Sequence, residues 1–266
     1  MEYLDIHAHI FPEQVAAKVI AQLEGYYKCK WHGTGVYDDL IESMDEAGVR
    51  RSNVFSCATR PDQVEAVNTY LASVQAKFPD RFRSFGTIHP DYPRLKEELA
   101  RLKSLGLRGL KIHPDFQQIK VDDPSMLKVY DLVGDSLPIL FHIGDPCFDF
   151  SAPKRLAHVL DLMPGLRVIA AHLGGYRAWE DGKKYLVGRD IMLDTSSSIG
   201  FITPEEAKSI ILAHGCERVL WGSDYPGTRH KQAIADLKSL GLTPEQEEMI
   251  FHKNAEKLLF PAASNT

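Results

Sequence analysis

The chain is poor in cysteine, and its four cysteines have no joint task to perform. Cys29, Cys57, Cys147 and Cys216 are scattered, with no CxxC pair and no spacing of a disulfide framework. Reduced thiols and a cytoplasmic location are the expectation. Long apolar runs are missing too. The longest, such as Ile139 to Phe141 and Val168 to Ala171, fall far short of the roughly 20 residues that cross a membrane. The opening MEYLDIHAHI has neither a basic stretch nor a long apolar one, so no signal peptide is expected. Neither sign of charge dominates. Lys+Arg number 31 and Asp+Glu 36, a formal net charge of −5, and the pI is near 6.1. That balance gives no electrostatic case for nucleic acid or an anionic membrane as partner. There is no GxxxxGK[ST] phosphate loop. Gly33-Thr34-Gly35 lacks a third glycine and follows no strand-like run, so a dinucleotide fingerprint is absent as well.

What is present fits a soluble globular chain. The 266 residues are 44% hydrophobic and 25% charged, enough for one large core and unlike disordered or fibrous sequences. Eight β-like runs stand out: Tyr3–His9, Ser52–Ala58, Phe82–His89, Arg108–His113, Pro138–Gly144, Arg167–Leu173, Ile191–Ser196 and Arg218–Asp224. Several are nearly continuous apolar segments, as in strands buried on both faces of a parallel sheet. Helical patterns separate them. Tyr37–Ala47 stops at Gly48, and Pro61–Lys77, Pro93–Leu105, Pro124–Gly134 and Pro153–Met163 follow. Thr203-Pro204-Glu205-Glu206 and Thr243-Pro244-Glu245-Gln246 are matched start signals, each with a capping residue and a proline at the first helical position. Eight alternations over this length predict an α/β fold, a single-domain (β/α)₈ barrel spanning residues 1–266, the type whose usual size is ~250 residues. The connection after the first run is too long for a simple crossover. Its extra piece, residues 11–36, contains an amphipathic stretch and an aromatic loop with Tyr26, Tyr27, Trp31 and His32. In a barrel it lies on the catalytic rim, as a lid over the mouth or as a helix patching the open top.

The placement of histidine is the informative feature. Of eleven, six end predicted strands: His7, His9, His89, His113, His142 and His172. A parallel barrel gathers all strand C-termini on one face. His7-Ala8-His9 puts two imidazoles on one side of a strand, a bidentate seat for zinc or a similar divalent ion. His142 and His172 end two further apolar runs at the same end of the sheet. Asp224 ends the eighth run, where a carboxylate would ligate a metal or accept a proton from metal-bound water, unless it is a turn or capping residue.

This combination, HxH on strand one, His on strands five and six and Asp on strand eight, resembles the amidohydrolase superfamily. GLKIHP, HLGG, WGSDYP and the late NAEKLLF look like its amidohydrolase-related branch, which holds metal-dependent hydrolases and also decarboxylases of the aminocarboxymuconate-semialdehyde and resorcylate types. The resemblance covers essentially the whole chain and implies a TIM barrel. It implies that His7, His9, His142 and Asp224 ligate one divalent metal, most simply Zn²⁺. It places His172 beside the metal-bound water, as a second-site ligand or as the proton-handling partner of the substrate. Lys111 falls where binuclear members carry a carboxylated lysine bridging two metals; otherwise it is a buried lysine paired with a carboxylate. His113 and His89 are candidates for substrate contact or for turns. Arg177 would clamp a substrate carboxylate or be a surface arginine, and Trp31, Tyr225, Arg229 and His230 are further candidates for the mouth. Cys147 has no base assigned to it and is not expected to be a nucleophile.

The chemistry expected is a metal-activated water attacking a carbonyl, with Asp224 taking its proton and His172 stabilising the oxyanion. The compact chain favours hydrolysis of an amide, lactone or similar bond. The alternative is non-oxidative decarboxylation of an aromatic or unsaturated acid with the same ligands. A second alternative, a non-catalytic barrel, is disfavoured by the intact ligand set. The partner is a small molecule, and the family implies a homodimer.

Overall fold

The computed structural model describes residues 1–259; Phe260, which ends the NAEKLLF phrase, lies outside them. Eight strands occur within or near the eight runs anticipated: β1 (Leu4–His9), β2 (Arg51–Phe55), β3 (Phe82–Ser84), β4 (Leu110–Ile112), β5 (Ile139–Phe141), β6 (Val168–Ala170), β7 (Met192–Asp194) and β8 (Val219–Leu220). Every ladder between them is parallel. The pairing order is β1-β2-β3 and β4-β5-β6-β7-β8, and two seams close the ring. At one, the Gly86 N–H donates to the Gly109 carbonyl (2.9 Å) and the Lys111 N–H to that of Gly86 (2.7 Å). At the other, the Ile6 N–H donates to Trp221 (3.0 Å) and the Asp224 N–H to His7 (2.9 Å). The result is a closed (β/α)₈ barrel. Most ladders are shorter than the apolar runs because residues beyond them leave the sheet to build the rim.

Among the described residues, twelve α-helices surround the strands. α1 (Glu13–Tyr27) lies within the long first connection, and α2 (Tyr37–Ala47) ends at Gly48, whose φ of 70° is the left-handed conformation expected of a terminating glycine. α3 (Val64–Lys77), α4 (Leu95–Ser104), the four-residue α5 (Pro114–Gln117), α6 (Pro124–Val133) and α7 (Pro153–Leu162) follow. α8 (Trp179–Tyr185) and α10 (His230–Lys238) were not legible as helices. Thr203 caps α9 (Pro204–His214) by accepting from the Glu206 N–H at 3.2 Å. Thr243 and Gln246 form a reciprocal capping box at α11 (Pro244–Glu248). α12 (Asn254–Leu259) closes the described chain.

Two apolar layers hold the ring. Leu4, Ile6, Phe55, Phe85, Leu140, Ile169, Ala171 and Leu220 pack together inside the barrel. A larger layer, including Ala8, Ile10, Val54, Leu110, Phe141 and Ala170, packs between barrel and helices. β1 changes phase between them. Leu4 and Ile6 belong to the inside and Ala8 and Ile10 to the outside. Strict alternation from Ile6 would therefore turn His7 and His9 outward. An irregularity between Asp5 and Ala8, three residues opposite the two-residue step Ser52 to Val54, supplies the extra residue, and both histidines face in. Gly222 makes room: a Cβ there would lie 2.7 Å from the His7 Cβ.

Candidate metal centre

His7, His9 and Asp224 converge at the barrel mouth. His7 Nε2 lies 3.3 Å from His9 Nε2 and 3.2 Å from Asp224 Oδ1, and His9 Nε2 lies 3.5 Å from the same oxygen. Ligands about 2.0–2.1 Å from a tetrahedral zinc stand roughly 3.3 Å apart. Slightly longer bonds at right angles in an octahedral site give nearly the same spacing. The donor triangle thus fits a first-row divalent ion by its own geometry. Behind it, His7 Nδ1 lies 2.8 Å from Asp194 Oδ2 and 2.9 Å from Ser196 Oγ. This carboxylate–imidazole pair fixes the ring and turns Nε2 toward the centre. Asp194 also accepts from the His172 N–H at 3.1 Å. It was missed from the sequence, although it ends the seventh run just as the histidines end theirs.

The electrostatics follow from burial and from these pairs. Burial depresses His9 and His172 to about 4, so both are neutral, lone-pair-bearing imidazoles near pH 7. For His7, burial and Lys111 oppose the charge, but Asp194 and Asp224 outweigh them and its pKa rises. Burial alone would raise Asp224; its contacts with His7 and His9 instead hold it well below the usual carboxylate range. Asp194 falls to about 2, its burial overcome chiefly by His7. Backbone strain marks the same residues: φ is 61° at His172 and 58° at Asp224, conformations a non-glycine residue adopts at some cost.

The other anticipated residues separate. His142 does not join the triangle. Its Nδ1 meets His172 Nε2 at 2.9 Å, its Nε2 has no hydrogen-bond partner, and its ligating atoms group with His113 and Asp115. His172 is beside the triangle, its ring 5.2 Å from that of His7, with Nδ1 at 2.9 Å from the Ser196 carbonyl. Lys111 is fully buried with Nζ 3.4 Å from His7 Nε2 and 5.0 Å from the centre of the Phe55 ring. Among the described residues no carboxylate lies within ion-pair distance of it, and burial lowers its pKa. The carboxylate-paired form of this lysine is therefore not what the barrel holds. His113 is at the site, its Nε2 3.2 Å from the Tyr27 hydroxyl. His89 lies in a turn instead: it accepts from the Asp91 N–H at 3.3 Å, and its carbonyl accepts from the Tyr92 N–H at 2.9 Å. Tyr225 is buried with its hydroxyl held by Asp39 at 2.6 Å, a strut to α2 and not a lining group. Arg229 joins the same carboxylate at 2.9 Å, and His230 is buried against Ser43 and Asp5.

Residues of the insertion touch the rim. At the end of α1, Tyr26 donates to Asp145 Oδ2 (2.8 Å). Tyr27 packs against Trp31, Phe116 and Tyr176, with ring centres 6.3, 6.0 and 5.6 Å away. The His32 and Gly33 N–H groups donate to the Pro226 carbonyl, each at 2.9 Å. Arg177, exposed, lies over the rings of Phe201 (4.4 Å) and Tyr176 (5.5 Å). The buried His7/His9/Asp224 group, which could hold a cation, thus lies beside the neutral His9 and His172 imidazoles, with aromatic faces and one arginine around the mouth.

The chain belongs to the Amidohydrolase family, whose profile matches residues 4–260, and it is an enzyme of that metal-dependent family. It is 23% identical over 287 aligned residues to a γ-resorcylate decarboxylase of Rhodococcus jostii (strain RHA1), covering 84% of this chain and 87% of that protein. Among solved structures it resembles the 5-carboxyvanillate decarboxylase of Sphingomonas paucimobilis (TM-score 0.72, 15% identity, 97% and 98% of the two chains). It also resembles a dihydroxybenzoic acid decarboxylase of Polaromonas sp. JS666 with bound manganese and 2-nitroresorcinol (TM-score 0.72, 17% identity, 97% and 96%). These relatives match the decarboxylation weighed from the sequence better than the hydrolysis that the compact chain favoured. The Polaromonas structure holds manganese. No helix among the described residues is long and apolar enough to cross a membrane.

Proposed function

We propose that this protein is a metal-dependent, non-oxidative decarboxylase of an aromatic or conjugated carboxylic acid. The observation that carries the reading is the His7/His9/Asp224 triangle lying under an aromatic rim that bears Arg177; the activities printed for the relatives support it. His7, His9 and Asp224 would hold one divalent ion, with manganese ahead of zinc on the Polaromonas precedent. When bound, that ion supplies a Lewis acid that draws charge from the substrate's oxygen atoms and orients its carboxylate.

The protein's own groups do the rest. Tyr27, Trp31 and Tyr176 offer aromatic faces and edges to one side of a flat ring, and Arg177 pairs with a carboxylate or phenolate. The insertion, residues 11–36, is read as a lid that excludes water and so strengthens these contacts. In the reaction the bond from the ring carbon to the carboxylate carbon breaks. Its electron pair stays on the ring carbon, CO₂ leaves, and a proton takes its place. Asp224, to which Ser197 Oγ donates at 2.5 Å, is assigned the relay of that proton. His172, neutral and tied through Nδ1 to a carbonyl, steadies negative charge on the substrate. Lys111, its pKa lowered by burial, is read as part of the floor of the site. A cytoplasmic location and a homodimer complete the reading.

The test is direct. The manganese-loaded enzyme is offered 2,6-dihydroxybenzoate, 5-carboxyvanillate and panels of amides and lactones. CO₂ release, with one deuterium incorporated at the vacated carbon in D₂O, is expected. Turnover of an amide or lactone without CO₂ release would return the assignment to hydrolysis.

A further inference from the structure

The loop after β7 is a run of hydroxyls, Thr195-Ser196-Ser197-Ser198. Three of the four have a plain structural tie. Thr195 stitches the loop to the next strand: its N–H donates to the Leu220 carbonyl (3.0 Å), and its Oγ1 accepts from the Gly222 N–H (3.2 Å). Ser196 Oγ lies 2.9 Å from His7 Nδ1 and 3.0 Å from His172 Nδ1. The Ser198 hydroxyl donates to the Ser196 carbonyl at 3.0 Å. These three are buried, and Ser197 between them is half-buried.

Ser197 differs in two ways. Its φ is 41°, in the left-handed region where a residue with a Cβ is strained. Its hydroxyl donates to Asp224 Oδ2 at 2.5 Å, and Asp224 is itself left-handed at φ 58°. Two strained, non-glycine residues from different loops thus meet through one hydrogen bond. Strain of this kind persists where the surroundings fix it. The turn by itself has no need of a serine, because glycine takes up such a backbone without steric cost.

The bond divides the two oxygens of the carboxylate. Asp224 Oδ1 faces His7 Nε2 (3.2 Å) and His9 Nε2 (3.5 Å), while Oδ2 is taken by Ser197. The torsion that turns a carboxylate is soft, and either oxygen can accept or ligate. With Oδ2 tethered, Oδ1 is the oxygen offered to an ion. We propose that Ser197 is a positioning residue for the cation seat: its hydroxyl pins Asp224 so that one chosen oxygen completes the triangle with His7 and His9. This rests on the reading that the triangle holds a divalent ion, and not on which reaction that ion serves.

Metal-free wild type and variants are titrated with manganese against a competing chelator, and their melting temperatures are recorded before loading. Ser197→Gly relaxes the turn and removes the donor. It is expected to melt close to the wild type and to bind manganese about 10–100-fold more weakly, the usual cost of losing a partner of a ligand. Ser197→Thr keeps the donor but puts a β-branch where φ is positive. It is expected to melt lower and to keep the wild-type affinity. If the serine only shaped the loop, affinity would follow stability and the two variants would rank the other way. Ser197→Ala, which lacks the donor and keeps the Cβ, is the second probe if Ser197→Gly does not fold, as judged by circular dichroism. Wild-type affinity in the folded glycine or alanine variant overturns the proposal. So does a folded threonine variant that binds as weakly as the glycine one. A wild type that takes up no manganese removes the metal reading itself, and this inference with it, whereas the absence of CO₂ release removes only the assigned reaction.

Discussion

β1 carries two histidine–carboxylate networks on opposite faces, built from the same residue types and put to different ends. Outside the barrel, Asp5 accepts from the Ser223 N–H (3.0 Å), the Ser223 hydroxyl (2.7 Å) and the His7 N–H (2.9 Å). His230 Nε2 lies 3.1 Å from Asp5, and His230 Nδ1 lies 2.8 Å from Ser43 Oγ. In connectivity this is a Ser–His–Asp triad. Yet Ser43, His230 and Asp5 are 1%, 0% and 0% exposed, so no substrate reaches the serine. Inside, His7 is held from behind by Asp194, and its Nε2 faces His9 and Asp224 at the mouth. The outer network is closed and satisfied; the inner one keeps lone pairs facing a place where a ligand can come. Access and unspent coordination, more than residue type, separate a site from a strut.

The comparison breaks most visibly at the residues that define each side. Asp224→Asn is expected to lower kcat per folded molecule by about 10²–10⁴, the usual worth of a positioned acid or base, an effect on turnover that outweighs its effect on stability. His230→Ala is expected to do the reverse. Removing one partner of a buried pair typically costs about 3–5 kcal/mol, read from urea unfolding, with turnover per folded molecule retained. A His230→Ala protein that melts normally but has no activity would mean the outer network is catalytic after all. Asp194→Asn lies between the two. Loss of the carboxylate behind His7 is expected to weaken metal binding about 10–100-fold, measured by competition with a chelator.

The barrel was legible because its evidence is local and repeated. Apolar runs recur eight times and proline-opened helical patterns six, and Thr203 and Thr243 cap as their neighbours foretold. α8 and α10 were not read because WEDGKKY contains a glycine and HKQAIADLK follows a turn-rich stretch. The candidate centre was legible in its membership and less so in its geometry. His7 and His9 announce themselves as a pair, but their inward aim depends on the irregularity after Asp5, which no spacing rule contains. Asp194 ended a run as the histidines did and was passed over as one carboxylate among many. The separation of His142 from the triangle, and its turn toward His113 and Asp115, depends on tertiary hydrogen bonds to His172. So do the inward hydroxyl of Tyr27 and the outward one of Tyr225, which share a residue type and differ only in partner.

The smallest effect is a pH-dependence that the inner face introduces into the stability of the metal-free protein. Burial holds His9 and His172 at about 4, whereas in the unfolded chain each titrates near 6.5. As pH falls from about 6.5 to about 4, the unfolded chain takes up protons that the folded one refuses, so unfolding is favoured across that window. The stabilisation is complete above about pH 6.5 and drains away toward pH 4. Urea midpoints of metal-free protein should therefore drop over this range, and His9→Gln, which removes one of the two groups, should flatten the decline. Loading with manganese should carry the decline to lower pH, because protons must then displace the ion from the same nitrogens. Equal slopes for wild type and His9→Gln, with and without metal, would show that the inner histidines are as insulated from protons as the outer network is from substrate, and the contrast between the two faces would lose its physical basis.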